Sequence, residues 1–171
     1  EAYDIWRKEI GLPDYRVTRM GEDDNFWPAG APSKGPNGVC GPCSEIFFDW
    51  QNKYPDNKDV RPNYDDLVEF WNLVFTQYNR LDGGKLDPLP QKNIDTGMGL
   101  ERLARLLQQK PNNYEIDIFQ ALNDSVRQNL KLPKETASPH IYAISDHIRA
   151  ITFCINDGVI PSNEGRGYVI R

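Results

Sequence analysis

The sequence has few cysteines, no excess of basic charge and no long apolar run, and each absence excludes a class of protein. Three cysteines in 171 residues are too few, and an odd number, for a disulfide-stapled secreted scaffold. A net charge of −5 excludes a surface that is basic throughout. No apolar run is long enough to cross a bilayer, and the N-terminus lacks a signal-peptide pattern. We therefore expect a cytoplasmic protein without a membrane partner. Any contact with nucleic acid would need a local basic patch or a part of the protein that this sequence does not include.

Familiar nucleotide-binding and hydrolase motifs are missing as well. The sequence has no Walker-type phosphate loop, no Gly-x-Gly-x-x-Gly after a strand and no nucleophile elbow. If the protein binds ATP, it therefore does so in another manner.

The order of the predicted elements divides the chain near residue 110. Residues 1–110 mix strand and helix patterns, whereas residues 111–171 show helix patterns only. We therefore predict an α+β fold with domains over 1–110 and 111–171. The chain begins at Glu1 without an initiator methionine and ends at Arg171 in the middle of a pattern, so we expect a piece of a longer polypeptide.

A region rich in proline and glycine, residues 21–45, is predicted to contain no regular element. It separates a short amphipathic helix pattern over residues 1–11 from an aromatic strand pattern over residues 45–49. Long loops of this kind are often functional. Phe26 and Trp27 lie inside the region, so we expect their rings either to wall a site or to pin the loop to the core.

A long strand and a hairpin follow in the sequence. Residues 67–78 predict the strand, and Asp82-Gly83-Gly84 is a hairpin-type turn signal. Alternation puts Asn72 and Val74 on one face of the strand. The returning strand carries Asp95, so we expect these three side chains to face one pocket. A polar asparagine in an otherwise apolar face needs a hydrogen-bond partner, either structural or from a ligand.

Residues 94–102 place a carboxylate, two glycines and an arginine where this returning strand turns into a helix. Asp95 can pair with an ammonium group. Gly97 and Gly99 allow backbone to come close to a ligand. Arg102 gives a planar, permanently charged fork that suits phosphate and can stack on a flat ring. The stretch suggests a site for a nucleotide and an amine-bearing substrate, although it also fits an ordinary glycine-rich connection.

Helix patterns with apolar faces fill the rest of the chain. The first of them carries Leu100, Leu103, Ala104 and Leu107 at helical spacing. We expect Leu100 and Leu103 to face the core. The second pattern carries Ile118, Leu122 and Val126. Ser138-Pro139 is a good helix start, and the helix that it opens is predicted to bury a stripe before it ends at Gly158. The stripe comprises Ile141, Ile144, Ile148, Ile151 and Ile155.

The Cys40-Gly41-Pro42-Cys43 run matches the redox motif of thioredoxins. No helix pattern follows it, so no helix dipole is available to activate a thiol, and a redox role is the minor alternative. A zinc site that adds Cys154 and His147 to this pair is a second minor alternative. We therefore assign no metal ligands.

Six motifs taken together, in this order, resemble a known family. They are residues 26–27, 38–46, 71–75, 94–102, 146–149 and 161–168. In these motifs the sequence is similar to the alanyl-tRNA synthetases, a family of class II aminoacyl-tRNA synthetases, over essentially its whole length. The resemblance implies the C-terminal part of an antiparallel class II catalytic sheet with flanking helices, followed by the start of a helical tRNA-recognition domain.

The resemblance also implies a reaction. Alanine and ATP would give alanyl-adenylate, and the alanyl group would then pass to the 3′ end of tRNA(Ala). Mg²⁺ would accompany the ATP phosphates. Catalysis would come from orientation and charge stabilisation at the α-phosphate.

Individual residues match positions with known roles in that family. The match implies that Asp95 binds the alanine ammonium and that Arg102 contacts ATP. It implies that Trp27 and Val74 shape the side-chain pocket and that Asn72 is a polar contact to alanine. In the same way, Gly97 and Gly99 would make room for alanine and ATP, and Asn163 would help to read the tRNA acceptor stem.

The sequence lacks motif one of the class and the motif-two arginine that grips the α-phosphate, both of which the resemblance implies to lie upstream of residue 1. We therefore expect the 171 residues alone, without the rest of the parent polypeptide, to show little or no adenylation activity. A non-catalytic binding module that keeps this fold is the remaining alternative, which the retention of Asp95, Asn72 and Arg102 disfavours.

Overall fold

In the computed structural model, which describes residues 1–54, 63, 66–136 and 138–171, the chain divides into two compact units. The first unit is Glu1–Leu103 and the second is Ala104–Arg171. The predicted domain boundary at residue 110 stays a prediction.

An antiparallel four-stranded sheet forms the first unit. Its strands, in spatial order, are β1 (Phe26–Trp27), β2 (Gly38–Phe48), β3 (Val68–Arg80) and β4 (Leu86–Met98). The predicted hairpin turn at Asp82–Gly84 joins β3 to β4, and Gly83 adopts there a positive φ, which lies outside the helical range and which glycine tolerates without strain. Before the sheet lie α1 (Ala2–Asp4), which continues as a π-helix over Ile5–Glu9, and a 3-10 turn at Asp14–Arg16.

The prediction that residues 21–45 contain no regular element is wrong. Strand β2 begins at Gly38 and runs through the whole cysteine motif, and β1 pairs with it at Phe26 and Trp27. A register shift between Cys40 and Cys43 marks a bulge, which lets a strand with glycine and proline in it continue. The long strand predicted over 67–78 is confirmed as β3.

Helix α2 (Leu100–Leu107) follows β4 directly. It confirms the predicted helix. The prediction that Leu100 faces the core is wrong, because Leu100 is 58% exposed, whereas Leu103 is partly buried. Helical spacing defines an apolar face, but it does not supply the surface that would cover it.

The second unit is helical, as predicted. A 3-10 turn at Asn113–Glu115 precedes α3 (Asp117–Asn129), α4 (Pro139–Asn156) and α5 (Gly165–Val169). The Ser138 side chain accepts a hydrogen bond from the His140 backbone N–H and Pro139 occupies the first turn, so the predicted start of α4 is confirmed.

The core of the second unit contains polar as well as apolar side chains. Ile116, Phe119, Val126 and Ile141 are buried. The buried Asn123 accepts a hydrogen bond from the Ser145 hydroxyl at 2.7 Å and donates one to the Tyr114 carbonyl at 2.7 Å, which joins α3 to α4. The predicted buried stripe of α4 is wrong for Ile144, Ile148 and Ile155, which are exposed, whereas Ile141 is buried and Ile151 is partly buried.

Candidate functional site

Strand register brings four of the sequence-predicted site residues to one face of the sheet. Val74 on β3 lies opposite Asp95 on β4, and Asn72 lies opposite Gly97. Residues directly opposite each other in an antiparallel pair point to the same face, and residues two apart on one strand do so as well. The expectation that Asn72, Val74 and Asp95 share one face is therefore confirmed at the level of strand pairing.

The face combines an apolar floor with an accessible charge and open space. Val74 is 7% exposed, whereas Asp95 is exposed to solvent. A Cβ atom added to Gly97 would meet no atom within 4 Å, so the glycine leaves room over the strand. A small ligand with an ammonium group and a short apolar side chain fits this arrangement of groups.

Sequence reasoning did not assign a site role to Glu45, which lies opposite Asn72 on β2. The Asn72 Nδ2 donates a hydrogen bond to Glu45 Oε1 at 3.1 Å. Burial raises the pKa of the Glu45 carboxyl, and the nearby carboxylates of Glu69 and Asp24 raise that pKa further. The predicted alternation of β3, which made Asn72 an anomaly on an apolar face, was the available signal that a partner should be sought.

The two cysteines of the motif are buried structural thiols. Cys43 lies opposite Val74 in the sheet, and its Sγ donates to the Asp24 carbonyl at 3.3 Å. Burial raises the pKa of Cys43 to about 11, and burial also raises the pKa of Cys40. Such thiols are the opposite of an activated redox cysteine. Among the described residues, no three histidine, cysteine, aspartate or glutamate side chains come together as metal ligands.

Arg102 and Gly99 are held against the start of β3. The Arg102 Nη1 donates to the Glu69 carbonyl at 2.8 Å and to Glu69 Oε2 at 3.0 Å. The Gly99 backbone N–H donates to the Phe70 carbonyl at 3.0 Å. A half-exposed guanidinium is thereby fixed at the junction of β4 and α2, where it can meet an anionic group.

The remaining predicted site residues do not join this cluster through strand register. Trp27 lies on β1 opposite Gly41, so its backbone pairs with β2 and not with β3. Its side chain lies outside the core, because the residue is 49% exposed. Asn163 belongs to the second unit, where its Oδ1 accepts a hydrogen bond from Arg171 Nη1. The roles of both residues stay predictions. None of the described helices is long and apolar enough to cross a membrane.

Comparison with known proteins gives a family match over the whole chain. The family model described as tRNA synthetases class II (A) matches residues 1–171. An alanine–tRNA ligase, chloroplastic/mitochondrial, of Oryza sativa subsp. indica is 49% identical over 178 residues, which cover 100% of this chain and 17% of that protein. Alanine–tRNA ligases of Idiomarina loihiensis (49% identical, 19% of that protein) and Neisseria gonorrhoeae (46%, 20% of that protein) also match over 100% of this chain.

The chain thus spans about a fifth of the length of these relatives. Both the family model and the named relatives agree with the resemblance that the motifs carry. The chain belongs to the family of class II (A) tRNA synthetases.

Proposed function

We propose that the protein containing this chain is an alanine–tRNA ligase. The observation that carries the proposal is the strand register that joins Asp95, Val74, Asn72 and Gly97 on one face. The names of the relatives, all alanine–tRNA ligases, support the same substrate.

The first step joins alanine to the nucleotide. A carboxylate oxygen of alanine attacks the α-phosphorus of ATP, the bond to the bridging oxygen breaks, and pyrophosphate leaves with the electron pair. Asp95 binds the ammonium group, and Val74 packs against the methyl group. Arg102 meets the nucleotide. Gly97 leaves room over the strand for alanine, whereas Gly99 leaves room for the Arg102 side chain, whose nearest carbon would lie 3.3 Å from an added Cβ atom. The rate enhancement then comes from orientation and fixed charge, since no proton transfer to a side chain is needed.

The second step moves the alanyl group to tRNA(Ala). A hydroxyl of the terminal ribose attacks the alanyl carbonyl and loses its proton, the mixed anhydride bond breaks, and AMP leaves with a phosphate oxygen that can take up this proton. Asn163, which precedes α5, is proposed to contact the acceptor stem. Its amide can both donate to and accept from a base edge.

Mg²⁺ is proposed as the companion of ATP. Magnesium commonly keeps several water ligands and binds through one or two carboxylates plus the substrate phosphates. The described residues bring together no group of three metal-binding side chains. The ion would therefore bind mainly through the ATP phosphates. The proposed contacts of Asp95, Val74 and Arg102 with the substrates do not require it.

A cytoplasmic location remains our proposal. Relatives from Oryza sativa are named chloroplastic/mitochondrial, whereas those from Idiomarina loihiensis and Neisseria gonorrhoeae carry no such description.

Alanine-dependent ATP–pyrophosphate exchange tests the proposal. The full-length protein that contains this chain should exchange fastest with alanine and more slowly with glycine and serine. A pocket discriminates between amino acids that differ by one methyl or hydroxyl group by only about 10- to 200-fold. Absence of exchange with all three amino acids would refute the ligase activity, and equal exchange would refute the preference for alanine. Insulin reduction in the same preparation tests the thiol alternative, for which we expect no turnover.

A further inference from the structure

We infer that Glu45 is a positioning residue for alanine: it holds the amide of Asn72 so that Oδ1, and not Nδ2, is presented to the substrate. The inference rests on the proposed function and adds to it a residue that acts through another.

Strand pairing and the chemistry of the two groups fix the orientation of the amide. Glu45 and Asn72 lie directly opposite each other on β2 and β3, and Nδ2 donates to Glu45 Oε1 at 3.1 Å. An ionised carboxylate can only accept hydrogen bonds, so it must take the NH₂ end of the amide.

The other end of the amide needs a donor. Asn72 Oδ1 is buried, and it has no hydrogen-bond partner among the residues that the structure describes. A buried acceptor without a donor is unfavourable, which makes the atom a candidate for a contact with ligand. Asp95, on the same face, is the proposed acceptor for the alanine ammonium. An ammonium group has three N–H donors, so it can satisfy Oδ1 as well as the Asp95 carboxylate.

Orientation by Glu45 makes the amide selective for a donor on the substrate. If the amide could rotate freely by half a turn, Nδ2 would face the ammonium and repel it. Glu45 therefore favours binding of an amine without touching the amine itself.

The test compares three substitutions in the full-length protein. Glu45→Met removes the acceptor at similar length. Glu45→Gln keeps an acceptor oxygen, and the exposed Glu9→Gln is the matched control. We expect Glu45→Met to raise the KM for alanine about tenfold in pyrophosphate exchange, since a lost oriented hydrogen bond acts on that substrate alone. The KM for ATP should stay within about twofold of wild type. Glu45→Gln, whose amide can donate as well as accept, should give a KM for alanine between those of wild type and Glu45→Met.

A double-mutant cycle shows whether Glu45 acts through Asn72. Because the proposed effect passes through the amide, Glu45→Met should have less than about a twofold further effect on the KM for alanine in an Asn72→Ala background. Multiplicative effects would overturn the inference, and so would an unchanged KM for alanine or equal increases in the KM values of both substrates.

If Glu45→Met fails to fold by circular dichroism, Glu45→Asp replaces it, because the shorter side chain withdraws the carboxylate from the amide. A wild-type protein without alanine-dependent exchange refutes the ligase proposal itself, whereas an active wild type with insensitive Glu45 variants refutes only the role of Glu45.

Discussion

The chemistry of the candidate site depends on how buried each polar side chain is. Glu45 and Cys43 point to the same sheet face as Asn72 and Val74, and burial is the largest cause of the raised pKa at both titratable groups. Asp95, by contrast, is exposed at the edge strand β4. The site therefore presents an accessible carboxylate beside partly buried groups that resist ionisation.

The raised pKa of Cys43 predicts a slow reaction with alkylating reagents. A pKa of about 11 instead of 9.0 leaves about 100-fold less thiolate at pH 8, and the thiolate is the reactive form. Iodoacetamide should therefore modify Cys43 at least about 100-fold more slowly in the native protein than in protein unfolded in urea. Peptide mapping over time measures both rates. Equal rates in the two states would show that the thiol is neither buried nor shifted.

Glu45 predicts a pH dependence of alanine binding. Because its pKa is raised, Glu45 takes up a proton at a higher pH than a free glutamate as the pH falls from 7. The protonated acid can donate as well as accept, so it no longer enforces one orientation of the Asn72 amide. We expect the KM for alanine to rise as the pH is lowered in wild type, and to rise less in Glu45→Gln, whose amide does not titrate. Parallel pH profiles would contradict this expectation. The other titratable groups near this side chain or on its face are Asp24, Glu69, Cys43 and Asp95. All four are unchanged in Glu45→Gln.

At the scale of elements, alternation predicted β3 and the hairpin after it, and with them the shared face of Asn72, Val74 and Asp95. The first half of β2 could not be predicted in the same way. Gly41 and Pro42 are turn residues by local propensity, and strand formation there depends on pairing with β1 and β3 and on the bulge. Glu45 was missed as a site residue because its contact with Asn72 crosses 27 positions of sequence.

Substitution by alanine should affect stability at one glycine of the sheet and activity at another. A Cβ atom at Gly41 would lie 1.9 Å from the Phe75 carbonyl oxygen, whereas one at Gly97 would meet nothing within 4 Å. Gly41→Ala should therefore destabilise the protein by about 1–3 kcal/mol or more, because backbone must move. Gly97→Ala should leave stability unchanged within about 0.5 kcal/mol but lower kcat/KM for alanine, because its methyl group projects over the site.

Urea unfolding and pyrophosphate exchange on both glycine variants measure these effects. A stable and active Gly41→Ala would show that the strands are not as close as described. A fully active Gly97→Ala would show that ligand does not approach β4 at that point.

The hydrogen bond between α3 and α4 predicts a stability effect in the second unit. Ser145→Ala would leave the buried Asn123 Oδ1 without the donor that it has now. Loss of one partner of a buried pair costs about 1–3 kcal/mol. Ser125→Ala, an exposed change on α3, is the matched control and should have little effect. Comparable urea midpoints for the two variants would contradict the structural role of this bond.

At the scale of the whole molecule, helical periodicity gave the right elements and the wrong burial. The apolar positions of α2 and α4 recur at helical spacing, yet Leu100 and Ile148 are exposed. Periodicity identifies a face, whereas burial depends on which surface covers the face, and that is a property of tertiary structure. The chain covers about a fifth of each relative, and the shared face of β3 and β4 is the part of the candidate site that it contains.

We propose that the shared face of β3 and β4 binds the ammonium group of alanine through Asp95. The most direct test is alanine-dependent pyrophosphate exchange by the full-length protein with Asp95→Asn, beside Asp87→Asn on the same strand as the control. Loss of one partner of a charge pair that bound ligand buries costs about 2–5 kcal/mol, so we predict a fall in kcat/KM for alanine of about 30-fold or more in Asp95→Asn. Asp87→Asn should stay within about twofold of wild type. Unchanged use of alanine by Asp95→Asn would show that Asp95 does not bind the ammonium group of alanine.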